Sequence, residues 1–495
     1  MEERRGGGLK TAEDYEAVIG LECHVELSTA TKMFCGCPNV FGAPPNTNVC
    51  EVCLGHPGTL PVPNERAIEY TIRIGLSLGC EIAPRSLFHR KHYFYPDMPK
   101  NYQISQYDLP ICTNGHMDIE VESEARRIGI TRVHLEEDTG KTTHAGTTGR
   151  IAGAEYALVD YNRAGVPLVE VVSEPDIRSV EEARVYFLEL RDTLEALGVS
   201  DVRMEEGSLR CDTNVSVRPR GSEELGTKIE IKNLNSVRSL ERALRHEVDR
   251  QVGVLREGGS LVQETRHFDE STGVTSSLRS KEYAFDYRYF PEPDLPPVEP
   301  DADWIDRIRD ALPELPAARR ARLVFQYALT PVQARILGGS KPWADFFEDA
   351  VTRGAAPGAV ANWMTQDLAA LLNEARRHIS DSKVTPKHVA DIVRMVDEGT
   401  ISNAAGKAVL AEAFATGREA AAIVEQRGLR QVSDTSALEG VIAEVLAENE
   451  DAVAQYRAGK ETVINFLFGQ VMKKTRGSAN PQVARDLLRE RLNTS

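Results

Sequence analysis

The chain has 495 residues, of which 41% are hydrophobic and 27% charged, an ordinary composition for a water-soluble protein of about two to four domains. A net charge of −16 excludes indiscriminate binding to polyanions, so any nucleic acid has to be met by a local basic patch. With no apolar run of about eighteen residues and no h-region in the opening MEERRGGGLK, neither a membrane span nor a secretory signal is expected, and a cytoplasmic location is.

Residues 1–14 are expected to form a flexible extension. Residues 16–27, EAVIGLECHVEL, then read as a strand with two different faces. Ile19, Leu21, Cys23, Val25 and Leu27 fall on one side, and Glu22, His24 and Glu26 on the other, because strand side chains alternate. Taken alone, the second face fits either a divalent-cation site or a solvated sheet surface. Cys35, Cys37, Cys50 and Cys53 follow as C-x-C-x12-C-x2-C, while Cys23, Cys80, Cys112 and Cys211 are scattered singly. Four thiolates on two short turns can close a tetrahedron around structural zinc; redox-active or inert cysteines are the other reading.

A helix is expected over 64–78. The run from His89 to Tyr107 brings aromatic faces for a base, together with Lys91, Lys100, Gln103, Ser105 and Gln106 for phosphates or ribose, or else forms a packed hairpin. Glu136, Glu137 and Asp138 precede Gly140-Lys141-Thr142, which is no P-loop, since Leu135 stands where a Walker motif needs glycine. Between Lys141 and Tyr156 the loop is long and lies beside these acids. Glu170 is flanked by Leu168, Val169, Val171 and Val172, where an unpaired carboxylate would be costly. Helices are expected over 179–197, opened by a Ser179/Glu182 capping box, and over 236–254.

Strands at 209–218 and 227–232 repeat the two-faced pattern. Arg210, Asp212, Asn214, Ser216 and Arg218 oppose an apolar set, as do Lys228, Glu230 and Lys232, and Glu206 introduces the first of these strands. Several such faces together suit polyphosphate with a divalent ion: carboxylates for the metal, cations for the oxygens. Five prolines over 291–300 mark a stiff connector. Beyond it the pattern is helical, with Thr330-Pro331 and Thr385-Pro386 as helix starts and a weaker break near 399–406.

Ten ordered motifs closely resemble the GatB family, the B subunit of glutamine-dependent aspartyl/glutamyl-tRNA amidotransferases. They are IGLECHVEL, the four-cysteine knuckle, KHYFYPDMPKNYQISQYD, HLEEDTGK, DYNRAGVPLVEVVSEPD, MEEGSLRCDTNVSVRP, EIKNLNS, QETRHFD, RSKEYAFDYRYFPEPDLPP and FLFGQVMKKTRGSANPQ. The resemblance implies an α+β protein. Its parts would be a β-rich, cradle-like catalytic domain over 15–295, an all-α domain over 296–405 and a small YqeY-like helical tail over 406–495 that meets tRNA.

It also implies a ligase that uses ATP to phosphorylate the side-chain carboxylate of Glu on tRNA(Gln), or Asp on tRNA(Asn), and then lets ammonia displace phosphate. His24, Glu137 and Glu170 match the family's Mg2+ ligands, with Glu22 and Glu136 as candidates for a second ion. Alternation puts Glu136 and Glu137 on opposite faces, so only one can point with His24 unless a bulge intervenes. Arg210, Asp212, Asn214, Lys232 and Asn233 are candidate phosphate and aminoacyl contacts. Because the chain lacks a recognisable glutaminase nucleophile, the ammonia would come from a GatA-type amidase, with a small GatC-type subunit completing a heterotrimer. From 451 to 495 eight Lys/Arg stand against four Asp/Glu, and Lys473, Lys474 and Arg476 are the tRNA-binding candidates, although helix C-terminal cations would explain the first two nearly as well.

Two rival readings remain at this level. One is a zinc-stabilised tRNA adaptor without catalysis, which the clustering of acids on strand faces disfavours. The other is a GatE-type subunit, which is expected to carry an extra domain before the helices. Preference between Glu-tRNA and Asp-tRNA is not encoded in these motifs.

Overall fold

A computed structural model describes residues 12–122, 124–146, 154–280, 287–431, 435–475 and 479–494. Most of the extension 1–14, the tip of the long loop and Arg476 therefore lie outside the described residues. The chain divides into two compact units, Met1–Leu315 and Pro316–Ser495.

Among the described residues the first unit has fourteen strands: β1 (Tyr15–Glu26), β2 (Glu81–Ile82), β3 (His89–His92), β4 (Tyr102–Ser105), β5 (Cys112–Val121), β6 (Glu124–Glu137), β7 (Lys141–Gly146), β8 (Ala154–Asp160), β9 (Pro167–Ser173), β10 (Leu209–Pro219), β11 (Ile229–Leu234), β12 (Glu264–Asp269), β13 (Val274–Ser280) and β14 (Phe290–Pro291). Nine of them form one sheet in the order β13-β12-β11-β10-β1-β9-β6-β5-β2; β14-β3-β4 form a second sheet and β7-β8 a hairpin. Neighbours in the large sheet run antiparallel except β11 and β12. The strand expected first, β1, lies in the interior of this sheet.

Three helices cover one face: α1 (Glu65–Ser77), α2 (Val180–Leu197) and α3 (Val237–Arg256). Each starts where the sequence supplies a polar cap: Asn64, Ser179 and Ser236 accept hydrogen bonds from the first-turn amides. Ile72, Tyr186, Phe187, Leu190, Leu240 and Leu244 bury the apolar sides of these helices against Ile19, Leu21, Cys23 and Val25 of β1. With one face sealed by helices, the alternate residues of the same strands are left for the other.

The proline-rich stretch 291–300 is docked on the first unit rather than standing free. Pro291 pairs with His89, Val298 exchanges backbone hydrogen bonds with Ser86, and the buried Glu292 carboxylate takes both Nε and Nη2 of Arg90 at 2.7 Å. A short edge pairing loses nothing to proline's missing N–H. The helix α4 (Ala302–Asp310) follows, and Ile308, Trp304, Leu312 and Leu315 join the sheet core, so this unit extends to Leu315.

The second unit is helical throughout its described residues, from Pro316–Tyr327 to Pro481–Thr494. Thr330 and Thr385 occupy the N-cap positions read from the sequence. It holds two hydrophobic cores, one running from Leu323 to Val424 and one from Leu438 to Leu492. The spacer at 399–406 falls inside the first core. A Cβ on Gly406 would come within 2.8 Å of the Trp363 ring, so glycine there permits a close helix contact and does not mark a boundary. No described helix is long and apolar enough to cross a membrane.

Candidate functional site

Register decides which side chains meet on the open face. β1 pairs with β9 so that His24 stands opposite Glu170, and β9 pairs with β6 so that Glu170 stands opposite His134 and Leu168 opposite Glu136. β10 sets Arg210 opposite His24 and Asp212 opposite Glu22. The row Arg210, His24, Glu170, His134 thus crosses four strands, with Glu136 one step further along β6.

His24, Glu136 and Glu170 offer ligand atoms that all lie within 4.8 Å of one another. His24 Nε2 is 3.7 Å from Glu170 Oε2, and His134 Nε2 is 3.2 Å from Glu170 Oε2 and 3.8 Å from Glu136 Oε2. Ser105 Oγ donates to Glu136 Oε2 at 3.0 Å. Burial alone would push the Glu170 carboxyl up, but the adjoining His134 and His24 outweigh it and hold it well below the usual range. Burial likewise disfavours a charged His134, yet Glu170 and Glu136 raise its pKa to about 9. Two buried carboxylates and one imidazole at this spacing suit a hard divalent cation that keeps water in its remaining positions.

The expected ligand Glu137 is not part of this group. It follows Glu136 on β6 and therefore points the other way, where it is ion-paired with Lys100 and accepts from the Ile104 amide at 2.8 Å. There it lines a cavity of about 210 Å³ between the cysteine loops and β4, together with Lys100, Tyr102, Arg90, His56 and Cys53. Glu136, held as a second-ion candidate, takes its place beside His24.

Several expected substrate contacts have other employment. Gln103 Nε2 donates to the Glu137 carbonyl at 2.7 Å, and Gln106 accepts from the amides of Leu135 and Ile111, so both buried amides tie strands together. Glu206 pairs with Arg203 at 2.7 Å in an exposed turn. Asn233 adopts φ 72° at the end of β11 and donates to the Phe268 carbonyl at 3.0 Å. Asn214 donates to Glu22 at 2.7 Å, and Lys232 reaches Asp212 at 2.6 Å, which keeps this group on the open face. Lys91 lies over the Tyr287 ring at 4.9 Å. In the second unit Lys473 and Lys474 are both exposed, and Lys474 is tied to Glu444 and Glu448 at 2.9 and 2.7 Å.

Sequence reasoning missed two residues here. His134 and Arg132 share the Glu136 face by the same alternation. Glu26, which alternation does place on the His24 face, adjoins Asp138. Burial and that neighbour push Glu26 up to about 8, while Asp138, despite its own burial, is held at about 2 by Arg210 and Arg163. Arg210 Nη2 donates to Asp138 Oδ2 at 2.7 Å. Gly165, at φ +87°, brings the Asp138 and Met33 backbones together through hydrogen bonds of 2.9 and 2.7 Å.

The four thiols of Cys35, Cys37, Cys50 and Cys53 also lie within 4.8 Å of one another, a closed set able to hold a metal ion. The fully buried Lys32 places Nζ 3.7 Å from Cys53 Sγ and 3.1 Å from the Tyr161 carbonyl. Hydrogen bonding from Cys35 draws the Cys53 thiol down to about 5.

Residues 17–306, which carry both the acid cluster and the four-cysteine knuckle, match the family described as the GatB/GatE catalytic domain; the chain belongs to this family. Residues 345–492 match a second family, described as the GatB domain. The chain is 53% identical to the B subunit of the aspartyl/glutamyl-tRNA(Asn/Gln) amidotransferase of Carboxydothermus hydrogenoformans, over 97% of this chain and 99% of that protein. It is 53% identical to the protein of the same name from Moorella thermoacetica and 51% to that from Persephonella marina, in both cases over 97% of this chain and all of the relative.

Proposed function

We propose that the protein is the tRNA-binding, carboxylate-activating subunit of an ATP-dependent amidotransferase acting on Glu-tRNA(Gln), Asp-tRNA(Asn) or both. The observation that carries this reading is the convergence of His24, Glu136 and Glu170 from three strands onto one open face. A carboxylate oxygen is a poor leaving group at neutral pH, so amidation requires prior activation. Transfer of the γ-phosphoryl group to the side-chain carboxylate gives an acyl phosphate and ADP. Ammonia then attacks the carbonyl carbon, phosphate departs, and the amide remains.

Positioning and electrostatics carry such a transfer, with no enzyme nucleophile. His24, Glu136 and Glu170 would hold Mg2+, which when bound screens the negative charge of the phosphate oxygens. His134 and Ser105 fix the two carboxylates by hydrogen bonds, so their lone pairs stay aimed at the same point. The Arg210–Asp138–Glu26 chain braces the adjoining end of the face. Cys35, Cys37, Cys50 and Cys53 would hold zinc with no open position, a structural role.

The ammonia source in this reading is a GatA-type amidase, with a GatC-type small subunit, in a cytoplasmic heterotrimer. The helical tail, with Lys473 exposed, contacts the tRNA. To test the activating role, the assembled complex carrying Glu170→Ala is given Glu-tRNA(Gln), ATP and ammonium, and ADP release is followed. Loss of ADP release with unchanged glutaminase activity supports the role; undiminished release refutes it and leaves a non-catalytic adaptor.

A further inference from the structure

The cations around the acid cluster fall into two groups. Arg210 is bound to Asp138 at 2.7 Å, Lys232 lies 2.6 Å from Asp212 and 3.4 Å from Glu230, and Lys100 is paired with Glu137. Arg163 serves the carbonyls of Thr139 and Gly140 and lies 3.6 Å from Asp138. A cation already held by a carboxylate must give up that partner before it can hold a phosphate oxygen, and the exchange gains little.

Arg132 and Lys91 differ. Among the described residues neither has a carboxylate oxygen within 4.0 Å. Arg132 Nε lies 3.3 Å from His134 Nδ1, the outer guanidinium nitrogens have no hydrogen-bond partner among the described residues, and Lys91 lies over the Tyr287 ring. Both are close enough to act on the cluster electrostatically: Arg132 on Glu170, Lys91 on Glu136. Arg132 stands on β6 two residues before His134, and Lys91 comes from β3 of the second sheet, so the two approach the ligand groups from different elements. Tyr289, stacked on Tyr107 with ring centroids 4.2 Å apart, stands by the same acids and by Arg132.

Charge balance asks for such a pair. Glu136 and Glu170 together cancel one divalent ion, so the anionic oxygens of a polyphosphate need further positive charge. We propose that Arg132, assisted by Lys91, holds the terminal phosphate oxygens of ATP during transfer, in place of the sequence-suggested Arg210 and Lys232. The inference rests on the reading of the site as a carboxylate-activating centre and assigns its phosphate clamp. In the step concerned, the bond from Pγ to the β,γ-bridging oxygen breaks, and its electron pair leaves with ADP. A bond from the substrate carboxylate oxygen to Pγ forms, and no proton moves. A planar guanidinium with both terminal NH2 groups free can follow the equatorial oxygens through that change better than an ammonium.

The test uses the assembled complex and two readouts: affinity for the non-hydrolysable analogue AMP-PNP by calorimetry, and ADP release with Glu-tRNA(Gln). Arg132→Gln, which keeps a polar amide beside His134 but no charge, is expected to weaken AMP-PNP binding by about 10- to 100-fold, the loss of one or two charge-assisted hydrogen bonds. Arg132→Lys is expected to recover part of that affinity, and Lys91→Gln to show a smaller loss. Unchanged AMP-PNP affinity in Arg132→Gln overturns the proposal, as does equal impairment in the Lys and Gln variants, which would mark Arg132 as a support for His134 alone. If an Arg132 variant fails to assemble, Lys91→Gln decides by the same readout: weakened binding supports the clamp and unchanged binding overturns it. Failure of the underlying reading is distinct, because Glu170→Gln would then release ADP at the normal rate whatever the Arg132 variants do.

Discussion

The four knuckle cysteines come from one short stretch of chain, 35 to 53, whereas His24, Glu136 and Glu170 are delivered by three strands far apart in sequence and meet only through register. The knuckle has four like ligands, a closed geometry and one buried ammonium, Lys32, at its edge. The open face mixes acids, imidazoles and cations, and its Glu136 and Glu170 are held ionised by neighbours. A short, closed set of ligands stabilises a loop; an open, mixed set can accept a substrate. If this contrast is right, the two centres respond independently to damage.

The strongest way to break the contrast is Glu170→Gln. This carboxylate bridges His24 and His134, so its neutral isostere is expected to lower ADP release by at least about a hundredfold. The metal content of the knuckle, measured by elemental analysis, should stay the same. A joint loss of activity and knuckle metal would show one coupled site instead of two.

A somewhat smaller effect separates the adjacent acids of β6. Glu136→Gln is expected to weaken divalent-ion binding about 10- to 100-fold, measured by calorimetry with Mg2+ or Mn2+. Glu137→Gln should leave that affinity unchanged, because its side chain faces Lys100 and the cavity by the knuckle. The reverse result would restore the ligand set that motif resemblance implies.

That pair also shows where the sequence is legible. Alternation alone assigns Glu22, His24 and Glu26 to one face of β1, and the caps Asn64, Ser179 and Ser236 announce their helices, because both signals are local. Alternation also says that Glu136 and Glu137 diverge, but which one meets His24 depends on how β6 pairs with β9, a long-range fact. Once Glu136 is chosen, the same period of two brings in His134 and Arg132, so these residues were readable in principle. Gln103 and Gln106 were not: an amide beside aromatics looks the same whether it binds a ribose or, as here, a buried backbone. Docking of the proline-rich stretch was equally hidden, since proline content reports what a segment cannot form but not what it rests on.

The smallest expected effect tests the other centre. Lys32 is fully buried, its ammonium shared between Cys53 Sγ and the Tyr161 carbonyl. A closed set of four thiolates around a divalent ion carries excess negative charge, and a buried ammonium beside one sulfur offsets part of it. Lys32→Met keeps most of the side-chain volume and removes the charge and the hydrogen bonds. It is expected to weaken metal retention by about tenfold, the lower end for a hydrogen bond to a charged group, read as faster zinc transfer to a colorimetric chelator. ADP release should change far less than in Glu170→Gln, since Lys32 touches the knuckle and not the acid cluster. Unchanged metal retention would mean that the ammonium is held for the Tyr161 carbonyl alone, and a loss of ADP release as large as that of Glu170→Gln would show that the knuckle and the open face act as one site after all.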